Sequence, residues 1–218
     1  MKDMLNKYLS PEMALYDVGC GKKPFAEFLR GRVSRHIGVD IDHGFYGNEF
    51  IDLVGSADNL PVEDGVADAI LSSQVIEHLP DPLKSFSESY RALRPGGYLF
   101  LSYPFLYPIH AAPYDFMRFT RFATEKALQN AGFQLVEIKT LGGFWYLLGV
   151  MGTIYLQGIA PLQKLRLFGP VSLLARTIFS FMHRLEAKVL GMMKKDVVAA
   201  RAAWAVTYVL VAQKPLPA

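Results

Sequence analysis

The chain has 218 residues, a length that suits one α/β domain with an appended element and is short for two full domains. Apolar residues make up 51% of it and charged residues 20%, which excludes an intrinsically disordered chain. The net charge of +3 is uneven, because residues 140–202 hold eight Lys or Arg against two acidic residues and the remainder is slightly acidic. The single cysteine, Cys20, excludes an intramolecular disulfide, and the first residues lack a signal-peptide pattern, so we expect a cytoplasmic protein.

Apolar and β-branched runs alternate with helical segments from Ala14 to Leu141, the pattern of βα units around a parallel sheet. Helices are predicted over residues 25–30, 82–93 and 124–131, where apolar residues recur at helical spacing. Six strands are predicted: Met13–Gly19, His36–Ile41, Phe50–Gly55, Ala67–Ser73, Gly97–Pro104 and Phe133–Leu141. A seventh β-prone run, Trp204–Ala212, is expected to close the sheet.

The first predicted strand leads into a turn that contains Gly19 and Gly21. Such glycines let a backbone approach a bound nucleotide, but residues 22–24 lack the third glycine that would seat a pyrophosphate. Asp17, before the turn, would repel phosphate and attract an ammonium group. Asp40, at the end of the second strand, can accept hydrogen bonds from both hydroxyls of a ribose. These features together indicate a nucleoside with a cationic amino-acid tail, and S-adenosylmethionine is such a molecule.

Each of these features also has an ordinary structural explanation. A glycine turn after a strand is common βα geometry, and residues 40–42 can be a solvated strand end. Glu77 and His78 can be an N-terminal pair of the next helix, where the helix dipole favours an acid. Their occurrence together, in one order, favours a cofactor site.

The chain resembles class I S-adenosylmethionine-dependent methyltransferases of the type 11 group, which includes enzymes of ubiquinone and menaquinone biosynthesis. The resemblance covers roughly residues 13–140 and rests on the stretches YDVGCG, GVDID, SADNLPVEDGVADAILSSQVIEHLPDP, ALRPGGYLFLSYP and LQNAGFQLVEI. It implies an α/β, Rossmann-like fold with a seven-stranded, mostly parallel sheet, an antiparallel last strand and a helical insertion between strands six and seven. It also implies S-adenosyl-L-methionine as the cofactor, and no metal is expected.

The family pattern implies a role for each matching residue. Asp17, Gly19 and Gly21 would cradle the methionine part, and Asp40 would bind the ribose. Ser56 replaces the aspartate that usually accepts from the adenine amino group, so the choice between Ser56 and a nearby acid stays open. The full predicted cofactor set is Asp17, Gly19, Cys20, Gly21, Asp40, Ile41, Ser56, Ala57, Asp58, Ser73, Gln74 and His78.

The loop after the fifth strand concentrates aromatic residues with one His, one Asp and one Arg, at the sheet edge where α/β folds bind ligands. We expect an acceptor lid there, with His110 as candidate general base. Asp115 and Arg118 are candidates for orienting the acceptor or for locking the loop by an ion pair. Tyr107 and Tyr114 are further candidates for acceptor binding. A local Asp115–Arg118 bridge and Tyr-Pro turn packing are the structural alternatives.

Residues 141–202 are predicted to form a hydrophobic, basic insertion in a methyltransferase domain made of residues 1–140 and 203–218. A single membrane crossing by the uncharged residues 140–163 is excluded, because the seventh strand must return to the same sheet. The segment that follows predicts an amphipathic helix whose polar face is basic. Its apolar stripe is Val171, Leu174, Ile178, Phe181, Leu185, Val189 and Met192, and its polar face is Ser172, Arg176, Ser180, Arg184 and Lys188.

An amphipathic helix of this kind suits contact with an anionic membrane surface through residues 141–195, with a site lid or a homodimer interface as equal alternatives. The sequence thus predicts a methyltransferase, cytoplasmic or peripheral to the inner face of the membrane, that acts on a small or lipid-like acceptor. Nucleic acid is not expected, because the basic residues are interleaved with apolar ones. A non-catalytic module that binds S-adenosylmethionine or a partner is the alternative.

Overall fold

A computed structural model describes residues 1–42, 46–157, 168–191 and 204–217 of the chain. Strands and helices alternate over the first part, as the sequence predicts. The elements in chain order are α1 (Lys2–Tyr8), β1 (Ala14–Val18), α2 (Ala26–Leu29), β2 (Arg35–Asp40), β3 (Leu53–Val54), β4 (Ala67–Ser73), a 3₁₀ turn (Ile76–His78), α3 (Pro82–Ala92), β5 (Leu93–Pro104), α4 (Arg121–Asn130), β6 (Gln134–Leu141), α5 (Phe144–Gln157), α6 (Phe168–Gly191) and β7 (Thr207–Gln213).

The seven strands form one sheet in the order β3-β2-β1-β4-β5-β7-β6. β1 pairs in parallel with β2 and β4, and the parallel pairing continues from β2 to β3 and from β4 to β5. β7 runs antiparallel to β5, since the Gly96 amide donates to the Lys214 carbonyl at 2.8 Å and the Lys214 amide donates to the Gly97 carbonyl at 3.0 Å. The predicted α/β fold, with a mostly parallel sheet and an antiparallel last strand, is confirmed. The strand order reverses beside β1, where open α/β sheets bind their ligands.

The chain divides into two compact units: residues 1–104, 110–139 and 208–218, and residues 105–109 and 140–207. In the first unit, apolar residues of the central strands are buried, as expected for parallel strands covered on both faces. The helix α1, which the sequence analysis does not predict, adds the fully buried Met4 and Leu5 to this core.

Most element boundaries shift by a few residues from the prediction, and the larger differences are as follows. β5 begins at Leu93 rather than Gly97, because Ala67 pairs with Leu93 and Ala69 with Tyr98, so that residues 94–97 bulge opposite one residue of β4. β3 is reduced to two residues and α2 to a single turn. The expectation that Glu77 and His78 open the next helix is wrong, since they lie in the separate 3₁₀ turn and α3 begins after its N-cap, Asp81.

The second unit contains the two helices of the predicted insertion. α5 and α6 pack closely, because a Cβ on Gly149 would lie only 2.8 Å from the Cβ of Phe179. The part of the predicted stripe that the structure describes is exposed to solvent, and it consists of Leu174, Ile178, Phe181 and Leu185. Met192, and the side chains of Val171, Ser172, Arg176 and Val189, lie outside what the structure describes. Among the helices described, none combines the length and the apolarity that a membrane crossing needs.

Candidate active site

The glycine turn lies at the carboxyl end of β1, and its backbone requires glycine. Gly19 has a φ of +70° and Gly21 a φ of +49°, both in the left-handed region. A Cβ on Gly19 would lie 2.4 Å from Cγ2 of Val75, which follows β4. The Gly19 amide donates to the Val39 carbonyl at 2.8 Å, which fixes the turn against β2. The turn therefore lies at the edge where β1 meets both of its neighbours.

Asp40 joins the end of β2 to this turn. Its Oδ2 accepts from the Gly21 amide at 2.8 Å, and its Oδ1 accepts from the Ile41 amide at 2.8 Å. A carboxylate has about four acceptor positions, so two remain for ligand hydroxyls. Ile41 is half exposed beside it. The structure thus brings together two features that the sequence predicts for one nucleoside site, the glycine turn and the acid of the second strand.

Lys23 occupies the region where a dinucleotide-binding turn has its third glycine. Its Nζ lies 2.6 Å from Oδ2 of Asp52, which also accepts from the Gly38 amide at 2.6 Å. A Cβ on Gly38 would lie 2.5 Å from Cε of Lys23, so the lysine stem fills the space that this glycine leaves. The charge of Lys23 is therefore used within the protein and does not form a phosphate cradle.

Asp17 is 3% exposed, and its Oδ2 lies 2.9 Å from Nε2 of His36 on the neighbouring strand. Burial raises the pKa of Asp17, and the contact with His36 opposes this effect. The predicted contact with a methionine ammonium therefore concerns an acid that already has one partner in the protein. That contact stays a prediction.

Cys20 contributes a buried thiol next to the turn. Its Sγ lies 3.6 Å from the Phe50 carbonyl, and burial raises the pKa of the thiol to about 12. The side chain faces the protein interior, so a contribution of Cys20 to a cofactor site would come from its backbone.

The segment after β3 contains the residues predicted to lie near adenine. Ser56 donates from its hydroxyl to Oδ1 of Asp58, and the Asn59 amide donates to the Ser56 carbonyl at 3.0 Å. Ala57 is buried between the two polar residues. Ser56 and Asp58 thus form one hydrogen-bonded pair, and the choice between them as the adenine acceptor stays open.

The carboxyl ends of β4 and β5 are joined by a residue that the sequence analysis does not select, Ser102. Its Oγ lies 2.9 Å from Oγ of Ser73 and 3.2 Å from Nε2 of Gln74. The backbone N–H of Gln74 donates to the backbone carbonyl of Ser102 at 2.8 Å. A serine at the end of the apolar run YLFLS is the signal that points to it. These contacts orient Ser73 and Gln74, for which contact with the methionine part remains predicted.

Beyond this edge, the loop after β5 contains a network of charged groups. Asp115 accepts two bonds from Arg118, at 2.5 and 2.7 Å, and a third from the His110 amide at 2.9 Å. The bonds from Arg118 hold the pKa of Asp115 well below its usual range. Tyr114 lies in the part of the loop that belongs to the first unit, whereas Tyr107 lies in the part that belongs to the second unit. The structure therefore groups four of the five predicted acceptor-side residues and pairs Asp115 with Arg118.

Two residues of the 3₁₀ turn complete this network. His78, predicted to contact the cofactor, lies with its Nδ1 2.6 Å from the Tyr114 carbonyl, and the Phe116 amide donates to the Glu77 carbonyl at 2.9 Å. Glu77 is 1% exposed, and burial raises the pKa of its carboxyl to about 7. The sequence pattern does not single out Glu77 as a site residue. The signal that points to it is an acid between the apolar Ile76 and Leu79.

Comparison with known proteins identifies methyltransferases among the sequence relatives. Residues 16–101 match the family model of a methyltransferase domain. A protein of Mycolicibacterium smegmatis named "Probable S-adenosylmethionine-dependent methyltransferase" is 30% identical over 145 residues, which cover 59% of this chain and 54% of that protein. The 2-methyl-6-phytyl-1,4-hydroquinone methyltransferase of Arabidopsis thaliana chloroplasts is 35% identical over 97 residues, 42% of this chain and 28% of that protein. The chain spans about half or less of the length of these relatives.

Among solved structures, the [4+2]-cyclase SpnF superimposes with a TM-score of 0.62, over 99% of this chain and 81% of that one. The sequence identity is 17%, so this likeness shows the fold alone. It also shows that a cyclase can be built on the same fold.

Proposed function

We propose that the chain is a class I S-adenosylmethionine-dependent methyltransferase of the type 11 group, which binds S-adenosylmethionine and transfers the methyl group to an acceptor. The observation that carries this proposal is the 2.8 Å bond between the Gly21 amide and Asp40. This bond holds the glycine turn next to Asp40, at the edge where the strand order reverses, and it supports a site in which Asp40 would bind the ribose.

The residues at this edge fit the parts of the cofactor. Asp40 has acceptor positions left for the ribose hydroxyls, and the pair Ser56–Asp58 offers an acceptor to the adenine amino group. Asp17 and the glycine turn would hold the methionine part. The sulfonium supplies an activated methyl group, so the work of the protein is alignment and exclusion of water. Alignment of this kind can contribute on the order of 7 to 11 kcal/mol.

For the acceptor, we propose a lipid-like molecule. The exposed stripe of α6 (Leu174, Ile178, Phe181 and Leu185) supports contact of the second unit with a lipid surface. Arg184 and Lys188 are exposed on the same helix and would attract anionic headgroups. In this view the protein is peripheral to the inner face of the membrane. The Arabidopsis relative, named for a phytyl hydroquinone, acts on an acceptor of this class.

Isothermal titration calorimetry with S-adenosylmethionine tests the proposal. We expect the wild-type chain to bind and Asp40→Ala to bind roughly 10–100-fold more weakly, because hydrogen bonds to a charged group contribute about 1.5–3 kcal/mol. Glu63→Ala, which removes an exposed carboxylate, is the matched control. If the wild type does not bind, the proposal is wrong.

A second assay separates catalysis from binding. The chain is incubated with methyl-labelled S-adenosylmethionine and a lipid extract, and labelled lipids are detected by mass spectrometry. Transfer to a water-soluble acceptor alone would contradict a lipid-like substrate. Binding without any transfer would support the alternative, a non-catalytic module with the same fold.

A further inference from the structure

The carboxylate of Glu77 has an unusual environment. Both of its oxygens are buried, and neither has a hydrogen-bond partner among the residues that the structure describes. Buried polar groups are normally hydrogen-bonded, and burying an ionised carboxylate without a partner is costly. The position therefore calls for a group that satisfies the carboxylate.

Two imidazoles face this carboxylate. Nε2 of His78 and Nε2 of His110 each lie 3.8 Å from the same atom, Oε1 of Glu77. This distance is too long for a hydrogen bond. It is the spacing expected of atoms that share a cation, because two ligands each about 2.0–2.2 Å from one ion lie roughly 3–4 Å apart. One ligand atom from each of the three residues lies within 4.8 Å of the other two, so small side-chain shifts would close the site.

The other ring nitrogen of each histidine has an acceptor nearby. Nδ1 of His78 lies 2.6 Å from the Tyr114 carbonyl, and a carbonyl can only accept, so this nitrogen carries the proton and Nε2 has a lone pair. Nδ1 of His110 lies 3.3 Å from Oδ2 of Asp115, with Nη2 of Arg118 at 3.4 Å. Nη2 of Arg118 can only donate, so in the ion-free protein Nδ1 of His110 accepts from it. Metal binding therefore requires the proton of His110 to move from Nε2 to Nδ1, where Oδ2 of Asp115 can accept it, and this leaves Nε2 with a lone pair. Histidines that bind metals are commonly held in this way, by a carbonyl or a carboxylate on the second nitrogen.

The surrounding loop keeps this arrangement in place. Asp115 is fixed by its two bonds to Arg118, and the Phe116 amide is bound to the Glu77 carbonyl at 2.9 Å. The two imidazole rings meet edge to face, with centroids 4.9 Å apart. The ligand atoms thus come from two segments, the 3₁₀ turn and the loop after β5, which are tied to each other by the backbone bond between Phe116 and Glu77 and by the contact of the His78 ring with the Tyr114 carbonyl.

We propose that Glu77, His78 and His110 bind one divalent transition-metal ion, with zinc as the best match. Two imidazole nitrogens and one carboxylate oxygen are a ligand set of zinc sites that keep a fourth position open. Magnesium and calcium prefer oxygen ligands throughout, and therefore suit this set less well. A metal-bound Nε2 cannot accept a proton, so the general-base role of His110 applies to the ion-free protein only.

Metal content and affinity test the proposal independently of methyl transfer. The untagged chain is stripped with a chelator, dialysed against zinc chloride and measured by elemental mass spectrometry, and zinc affinity is determined by calorimetry. We expect one zinc per chain. Glu77→Gln, His78→Ala and His110→Ala should each bind at least tenfold more weakly, and Glu63→Gln, which changes an exposed carboxylate outside the cluster, should bind as the wild type does.

Cobalt(II) absorption depends on the ligands of the ion, so it would not change if the three side chains only stabilised the loop. Cobalt on the wild type should give visible absorption bands of a four-coordinate site, and the bands should change in His110→Ala. Circular dichroism verifies that each variant is folded, and Glu77→Gln preserves the size of the side chain. Absence of zinc from the wild type, or full zinc affinity in all three variants, would overturn the site. Because the readouts require no S-adenosylmethionine, failure of the metal site and failure of the proposed methyltransferase are distinguishable.

Discussion

The Asp17 carboxylate lies 2.9 Å from Nε2 of His36, across the paired strands β1 and β2. Because Asp17 is buried, His36→Ala leaves a desolvated carboxylate without this partner. We expect the free energy of unfolding to fall by about 1–3 kcal/mol. Urea unfolding followed by circular dichroism measures the loss, and Arg35→Ala, an exposed change on the same strand, should leave stability unchanged.

A change of Asp17 itself should show a pH dependence with a definite sign. Burial raises the pKa of Asp17 in the folded state, so its contribution to stability is complete below the unfolded pKa, about 4, and is lost as pH rises through the folded value. Asp17→Asn keeps the size of the side chain and cannot ionise, so it does not lose this contribution. Its stability relative to the wild type should therefore be higher at about pH 8 than at about pH 5. An equal stability difference at both pH values would contradict a raised pKa of Asp17.

A second prediction concerns Gly19, where backbone conformation and space both require glycine. Gly31 has a similar φ, +73° against +70°, but a Cβ there meets nothing within 4 Å. Gly31→Ala should thus cost about 1–2 kcal/mol from the left-handed backbone alone. Gly19→Ala should cost about 1–3 kcal/mol more, because its Cβ overlaps Val75.

The double variant Gly19→Ala with Val75→Ala separates the two effects. It should recover the part of the loss that comes from overlap and keep the part that comes from φ, as a double-mutant cycle in urea would measure. Equal stability of Gly19→Ala and Gly31→Ala would mean that the contact with Val75 has no energetic weight.

The cofactor edge follows from the sequence more directly than the acceptor side does. Gly21 lies in the turn that follows β1, and Asp40 ends the neighbouring strand β2. Parallel strands place their carboxyl ends at one edge, so the proximity of these two residues is predictable. Glu77 is different, because its chemistry depends on burial and on His110, a residue distant in sequence. The sequence around Glu77 predicts neither its burial nor its proximity to His110.

The β5 boundary shows the same limit on a smaller scale. Arg94 to Gly97 read as the end of a helix, and α3 does end before them. Whether such residues form a loop or a bulged strand depends on the partner strand, here Asp68, which accepts from Arg94 Nε at 2.7 Å. The sequence of residues 94–97 alone therefore does not predict whether they form a loop or a bulged strand.

A third prediction concerns the reactivity of Cys20, the chain's single cysteine. Its thiol is 2% exposed and burial raises the pKa to about 12, so the thiolate fraction near neutral pH is very small. Native protein should therefore react with a disulfide reagent at least about 100-fold more slowly than protein unfolded in guanidinium. Ellman's reagent measures both rates on one sample, and comparable rates would contradict the buried position.

The last prediction concerns the exposed stripe of α6. If it enters a lipid surface, Ile178→Asn with Phe181→Asn should weaken binding to anionic vesicles roughly tenfold or more, since burying each apolar side chain contributes on the order of 1 kcal/mol. The fold should be retained, because both side chains are at least half exposed in the protein alone. Thr177→Asn with Ser180→Asn, exposed on the same helix, is the matched control.

Co-sedimentation with vesicles at low and high salt distinguishes the two forces on this surface. Arg184 and Lys188 should make binding stronger on anionic than on neutral vesicles, and salt should reduce that difference because it screens exposed charges. Analytical ultracentrifugation of the same samples tests the competing occupant, a second copy of the chain. Dimers in the wild type that dissociate in Ile178→Asn with Phe181→Asn, without vesicle binding, would assign the stripe to self-association and remove the lipid surface from the proposed function.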